Sequence, residues 1–578
     1  MASSPSPDVL AQLTIYNLPP SPPNFDRVGS FFIAFGSLWT FLVFAGMLFC
    51  VLNRKNPILK IRCLPLSFGA IFMLHCYWVL AQVTYSVGQT MPIVLAYDIQ
   101  YFFMGIYYPL GMALFHASNL RFLHVARLQR QFAHPEPRAQ EQRYHGIKAM
   151  LQCRRRNWGY TARIMLWIGV GMIFQIFLTI AMWLACQKYH PTFGLPGTQV
   201  KGSTVPEQVA DLGRGWEWWP SLLWQLVWTW IVAPYLIWRS WGIRDTMGWR
   251  TQTLGCCLAS LHAVPMFLIA SYAPAFQKVN AYYAPSQWIH LSIMVFEIFT
   301  VFVPAYLVIR SWAVVRRVHD SNRRWETTSM KSSTSADSST LADLTSFYSN
   351  SVSEKNRLDL LDEDLSDRLL TMTALDYVLR DNPTPLQDFS AMHDFSGENI
   401  AFLTRAACFK ASWPVLPAGE QALDVYNEAL GIYIDFISTR DAEFPLNLSS
   451  RELKAQEATF ERAARAVMGD SAPTTPFDVE APNWDMPAPT ETLARVRQQY
   501  RGPVPEAFSM HIFAGIESHV KYLVLTNTWP KFVNDMRHRA QRQSGESHRT
   551  DLTADSSQQS LNSRLSRRLA RLLRDLGL

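Results

Sequence analysis

Ionisable and strongly polar side chains inside long apolar runs are costly in lipid and mark functional sites, so the chemistry of this chain is sought there first. His75, Asp98, His116, Gln175, Gln225, His262, His290 and Glu297 are such residues. Asp98 and Glu297 carry the largest desolvation cost, and two readings are open for each. Either they line a polar site within the membrane, part of a ligand pocket or a proton-linked switch, or they pair with a neighbouring His, Tyr or backbone group as structural glue. Charges this sparse do not make the relay of a pump or ion pathway. The eight cysteines, at 50, 63, 76, 153, 186, 256, 257 and 408, fall mostly in apolar stretches. A free Cys behaves there as a small hydrophobe, and no spacing suggests zinc or a redox motif. No cofactor is expected.

The elements that must position these residues are helices. With 578 residues, the chain is long enough for two or more folded units. Its mean hydropathy of +0.00 averages two unlike parts: 29–310 is rich in Phe, Leu, Ile, Trp and Met, while 311–578 holds most of the Ser, Asp, Glu and Arg. A helix crosses the hydrocarbon core in ~20 mostly apolar residues. Seven stretches qualify: 29–53, 63–87, 92–118, 164–186, 219–238, 252–274 and 288–309. The fifth, with Trp224, Trp228, Trp230 and Pro234, also fits an interfacial segment, and Trp216, Trp218 and Trp219 at its outer end resemble an aromatic belt.

Orientation follows from the connections. With the tail 1–28 outside, the outer segments hold five Lys and Arg and the inner ones twenty-two, which places the C-terminal part in the cytoplasm. The tail lacks the pattern of a cleavable signal, so the first span is expected to act as its own insertion signal. The net charge of +7 concentrates beside apolar segments and at the C-terminus, which points to anionic lipid and to no nucleic acid. The plasma membrane is the expected location. Seven spans with an outside N-terminus resemble G-protein-coupled receptors in architecture. The third span, however, ends in His116-Ala-Ser-Asn-Leu-Arg121 without the acidic-Arg-aromatic triplet of their largest class.

Residues 311–370 read as a flexible tether, because the Ser/Thr-rich stretch 331–353 buries too little apolar surface to fold; an acidic run, 359–367, follows. Phosphorylation of such a tether is a sharper version of the same reading. From 371 the pattern is helical without alternating strands. Ser396 is placed as an N-cap before Ile400, Leu403 and Ala407, and Ser449-Ser-Arg-Glu452 is a capping-box pattern. Ile512, Phe513, Ile516, Val520, Leu523 and Val524 give the strongest apolar face of this part.

Three segments then carry a resemblance, in order: Pro385-Leu-Gln-Asp-Phe389 with Phe395-Ser-Gly-Glu-Asn-Ile-Ala-Phe402; Tyr426 to Ile437 leading into Phe444-Pro-Leu-Asn447-Leu-Ser; and Phe508 to Thr528-Trp-Pro-Lys-Phe532. Together they resemble the regulator-of-G-protein-signalling (RGS) domain over 371–540, with insertions near 411–420 and 470–505. Behind a membrane bundle, the whole resembles the seven-transmembrane RGS proteins of fungi and plants. The resemblance implies an all-α chain, a seven-helix bundle followed by a cytoplasmic helical domain. That domain is no enzyme itself; it binds a GTP-loaded Gα subunit and holds its switch loops in the hydrolytic shape, while Gα supplies the transition-state arginine. Carried over residue by residue, it makes Glu398, Asn399, Asn447, Leu523, Asn527, Thr528 and Lys531 the Gα contacts. Asn527 stands where active members mostly have Asp, and Lys531 where Arg is frequent. Both changes weaken charge-assisted or forked hydrogen bonding. Two other functions are open: a receptor or scaffold that binds Gα without accelerating hydrolysis, and a transporter with an appended regulatory domain. An extracellular ligand of the bundle, of unknown identity, belongs to the first two.

In the tail 541–578, Leu561, Leu565, Leu569, Leu572 and Leu576 line one helical face, and Arg564, Arg567, Arg568, Arg571 and Arg574 cover much of the rest. This reads as a basic amphipathic helix on an anionic leaflet, with a short coiled-coil seam as the competing reading. On the membrane it raises the effective concentration of the domain near lipid-anchored Gα.

Overall fold

The computed structural model describes residues 13–133, 160–332, 369–414, 420–442, 444–468 and 500–547. Most of the tether, most of the longer insertion and the basic stretch carrying Arg564, Arg567, Arg568, Arg571 and Arg574 lie outside them. The described residues are helical, without a strand among them, and they divide into two compact units. The first holds residues up to Arg127 and from 160 to Ile309; the second holds Leu128–Ala133 and the residues from Arg310 on.

In the first unit, α1 (Arg27–Leu52), α2 (Leu64–Val87) and α4 (Tyr160–Ala185) are simple helices. Others carry π-helical turns or joints. Helix α3 runs as Ile93–Phe102, a π turn Phe103–Tyr107, and Tyr108–Ala133; α5 runs as Trp219–Leu226, a π turn Val227–Val232, and Ala233–Ser240. Helix α6 joins Trp249–Ser260 to Ala263–Tyr272, and α7 runs as Gln287–Glu297, a π turn Ile298–Phe302, and Val303–Ser332. Six helical stretches are long and apolar enough to cross a membrane: Arg27–Leu52, Leu64–Val87, Arg163–Ala185, Val205–Ser240, Trp249–Tyr272 and Gln287–Arg324. Two of them, Arg27–Leu52 and Arg163–Ala185, leave Phe31, Leu38 and Phe41 of α1 and Trp167, Ile173 and Phe177 of α4 exposed, as suits helices that face lipid. Helix α3, matching the third stretch of the sequence, is helical throughout but is not one of the six. Its Tyr97, Asp98, Gln100, Tyr101, Tyr107 and Tyr108 dilute its apolar character.

Two expectations change here. Trp218 is buried, its indole donating to the Leu212 carbonyl, so of the three outer tryptophans only Trp216 and Trp219 present an exposed ring. And α7 runs on to Ser332, where the tether was expected to begin at 311. Beyond Pro304 no Gly or Pro interrupts this stretch, and the charged residues after Arg310 are good helix formers.

The second unit contains α8 (Met372–Asp381), α9 (Thr384–Met392), α10 (Gly397–Ala411), α11 (Glu420–Ile432 with the π turn Tyr433–Ile437), α12 (Ser450–Met468) and α13 (Ala514–Leu523, the π turn Val524–Thr528, and Trp529–Ser547). The capping box forms as read: the Glu452 carboxylate accepts from the Ser449 amide at 2.9 Å and hydroxyl at 2.7 Å, and Ser449 Oγ accepts from the Glu452 amide at 3.3 Å. Phe513, Ile516, Val520 and Val524, the predicted apolar face, are buried in one core with Phe402, Tyr426, Tyr433 and Phe460. Val318 of α7 is fully buried in this core, with Val314 and Phe132 packed against it. The Asn322 side chain accepts from the Met372 amide at 2.8 Å, so α7 also supports the start of α8.

Phe460 is the keystone: its ring stacks on Tyr426, Tyr433 and Phe513 at 5.5, 5.3 and 5.9 Å. Truncating a buried Phe to Ala costs about 3–5 kcal/mol, a large part of the ~5–15 kcal/mol that holds a domain together. Phe460→Ala in the full chain is expected to open the second unit to limited proteolysis while the first stays resistant; equal resistance of both would contradict this packing.

Candidate functional site

The intramembrane carboxylates come first. Glu297 on α7 is fully buried. It accepts from Trp39 Nε1 of α1 at 2.5 Å and lies 2.6 Å from His75 Nδ1 of α2; the other His75 nitrogen is 3.0 Å from Thr40 Oγ1. One carboxylate thus ties three helices together through neutral and ionisable donors. Asp98 is elsewhere. It accepts from Trp183 Nε1 of α4 at 2.8 Å, so the two acids form separate clusters, each joining its own helices. His290 is likewise engaged at both nitrogens, with the Ser286 and Tyr77 carbonyl oxygens.

The candidate in the second unit is built around a residue that carries little signal in the sequence. Asp394 has no exposed surface. Its carboxylate accepts from Ser396 Oγ at 3.0 Å, Asn527 Nδ2 at 3.1 Å, Thr528 Oγ1 at 2.7 Å and Lys531 Nζ at 2.6 Å. Lys531 also donates to Asn527 Oδ1 at 2.9 Å. A buried carboxylate is tolerable only when surrounded by donors in this way. The chain reaches this geometry through Phe395, whose φ of +48° is strained for a bulky residue, and whose ring is buried. Ser390 Oγ fixes the turn by donating to the Ser396 carbonyl at 2.8 Å.

Asp394 therefore brings the first turn of α10, with Glu398 and Asn399, together with Asn527, Thr528 and Lys531 of α13. Leu523 is half-buried one turn before Asn527 on the same helix. Asn447 is half-buried on the segment after α11, which the Leu446 amide pins to the Phe436 carbonyl at 2.8 Å. Ser396 holds the N-cap position of α10 but does not cap it. Its hydroxyl is turned to Asp394 and Thr528, because a buried carboxylate needs a donor more than the helix end needs an acceptor. The acceptor comes instead from Gln129 of α3, whose Oε1 takes the Gly397 N–H at 3.1 Å while its Nε2 donates to Glu398 Oε2 at 3.1 Å. Gln129 had no signal of its own in the sequence, being a polar residue in a basic inner segment. Asp394 had a faint one, an acid placed just before a helix start.

Two substitutions test these placements. Glu297→Ala leaves the Trp39 indole and His75 imidazole without their acceptor and is expected to cost on the order of 3 kcal/mol. It would lower the thermal midpoint of the detergent-solubilised chain, and Glu297→Gln, which keeps an acceptor oxygen, would lower it less. Asp394→Ala is expected to cost ~2–3 kcal/mol, reduced because Lys531 can rehydrate. Amide hydrogen exchange along α13 should then speed up roughly 30- to 100-fold; unchanged exchange would remove Asp394 from its central place.

No protein family, curated protein or solved structure matches this chain.

Proposed function

We propose that the chain is a multi-pass membrane regulator of heterotrimeric G proteins, in which a seven-helix bundle carries a cytoplasmic RGS-like domain that binds GTP-loaded Gα and accelerates its hydrolysis. The observation that carries this reading is the gathering of Ser396, Asn527, Thr528 and Lys531 around the buried Asp394 carboxylate, which ties the start of α10, where Glu398 and Asn399 follow, to α13. These residues come from the first and last of the three segments that resemble the RGS domain, more than a hundred positions apart in the chain. A rigid set of polar groups at helix ends is what stabilising a GTPase's mobile loops requires, with no nucleophile, base or metal.

Helix α3 serves as the remaining crossing in this reading. Its polar composition suits a helix surrounded by protein rather than lipid. Tyr101, Met104, Tyr108, Met112, Phe115 and His116 are buried, and Tyr108 accepts from Gln225 Nε2 of α5 at 2.6 Å. Gly111 and Gly105 lie so close to Leu74 of α2 and Thr179 of α4 that a Cβ would sit at 2.7 and 2.5 Å from those side chains. The asymmetry of Lys and Arg places the cytoplasmic domain inside, beside lipid-anchored Gα at the plasma membrane.

A second reading, a scaffold that binds Gα without accelerating it, has its own support. Asn527 lacks the charge of an Asp, and the Lys531 ammonium is engaged with Asp394. Single-turnover GTP hydrolysis by Gα, with the full chain in lipid nanodiscs, separates the two. Acceleration is expected, and Asn447→Ala or Glu398→Ala should weaken it by roughly 30-fold, the effect of losing an interface hot spot of ~2 kcal/mol. Gα binding without any rate increase would decide for the scaffold.

A further inference from the structure

The second unit includes six residues, Leu128–Ala133 at the end of α3, that lie well ahead in the chain of its next described residue, Arg310. They lie on the candidate Gα surface itself. Gln129, with no exposed surface, spends both atoms of its amide there, accepting from the Gly397 N–H and donating to the Glu398 carboxylate, each at 3.1 Å. One turn on, Phe132 packs edge-on against Phe444 with ring centroids 5.5 Å apart. It also approaches Gly397 so closely that a Cβ there would be 2.7 Å from its own. Leu128 is buried as well. The contact is thus specific in hydrogen bonding and matched in shape. It spans the first turn of α10 and the segment that leads to Asn447.

We infer that the last turns of α3 are an internal competitor of Gα, holding the switch-loop surface of the cytoplasmic domain closed until they withdraw. This rests on the function proposed above and adds its regulation. The argument is one of exclusion. The N-terminal amides of a helix and the carboxylate beside them have a limited number of partners, and Gln129 satisfies one of each. A Gα loop that used Glu398 would have to displace the Gln129 amide, and a loop lying between Glu398 and Asn447 would have to displace the Phe132 ring. The apparent affinity for Gα is then the intrinsic affinity reduced by the fraction of molecules in which the strap is off. No residue of the strap is among those assigned to Gα, so the strap can be altered with the Gα surface intact.

Gln129→Glu places a carboxylate against Glu398 and removes the side-chain amide donor; Phe132→Ala keeps the Cβ beside Gly397 and removes the ring that packs on Phe444. Each is introduced separately into the full chain in lipid nanodiscs. Binding of transition-state-mimicking Gα, loaded with GDP and aluminium fluoride, is measured beside single-turnover hydrolysis. Each variant is expected to bind roughly tenfold more tightly than the unaltered chain, within the usual range of intramolecular coupling, and Gly397 amide exchange in the absence of Gα should rise. Unchanged exchange at Val520 and Val524 serves as the control for folding. If the unaltered chain binds Gα and neither variant binds more tightly, the strap is no competitor and the proposed function stands. If no form of the chain binds Gα, the function falls and the competitor with it. If Gly397 exchange is unaltered in both variants, the contact itself is refuted whatever Gα does.

Discussion

A carboxylate sealed from water must be met by donors on every open side, and the second unit is arranged to do that for Asp394. Serine, asparagine, threonine and lysine converge on it, the first from the start of α10 and the other three from α13. Removing such a group leaves its partners desolvated, so the arrangement is held as a set rather than bond by bond. The strained Phe395 backbone, the Ser390 hydroxyl beneath the turn and the close approach at Gly397 follow from it. Without Asp394 the turn before α10 has no reason to adopt its shape, and the polar residues of α13 have nothing to face.

The membrane unit solves a related problem with different means. In lipid a helix gains little from burying apolar side chains against another helix, since the surroundings are equally apolar; close backbone approach and polar ties do more. Glu297 ties α1, α2 and α7, and Asp98 ties α3 to α4. Their partners are indoles and an imidazole, which satisfy the carboxylates by hydrogen bonding.

What could be read from the sequence was periodic or local. Long apolar runs marked the helices of the first unit, and the apolar stripe 512–524 marked a face that is buried. Ser449 and Glu452, three residues apart, spelled a capping box that forms. What escaped was pairing across distance. Nothing in the neighbourhood of Glu297 names Trp39 and His75, and nothing near Gly397 names Gln129. Ser396 shows why local rules fail at such places: it is the right residue type for a cap, and tertiary demand from Asp394 takes its hydroxyl away. Trp218 is similar, an aromatic at the expected depth whose ring is claimed by the protein instead of the interface. The end of α7 was missed for another reason. A polar composition looks like the edge of structure, whereas a helix uninterrupted by Gly or Pro continues past it.

Three of the four donors to Asp394 lie 133, 134 and 137 positions downstream of it. During synthesis the acid therefore emerges long before the side chains that neutralise it. Until α13 has left the ribosome, the start of α10 has an unsatisfied acid and a turn with nothing to brace it. A chain stopped anywhere ahead of Lys531 would have Glu398 and Asn399 in its sequence and no formed surface to present them, so competence arrives all at once, with the final helix.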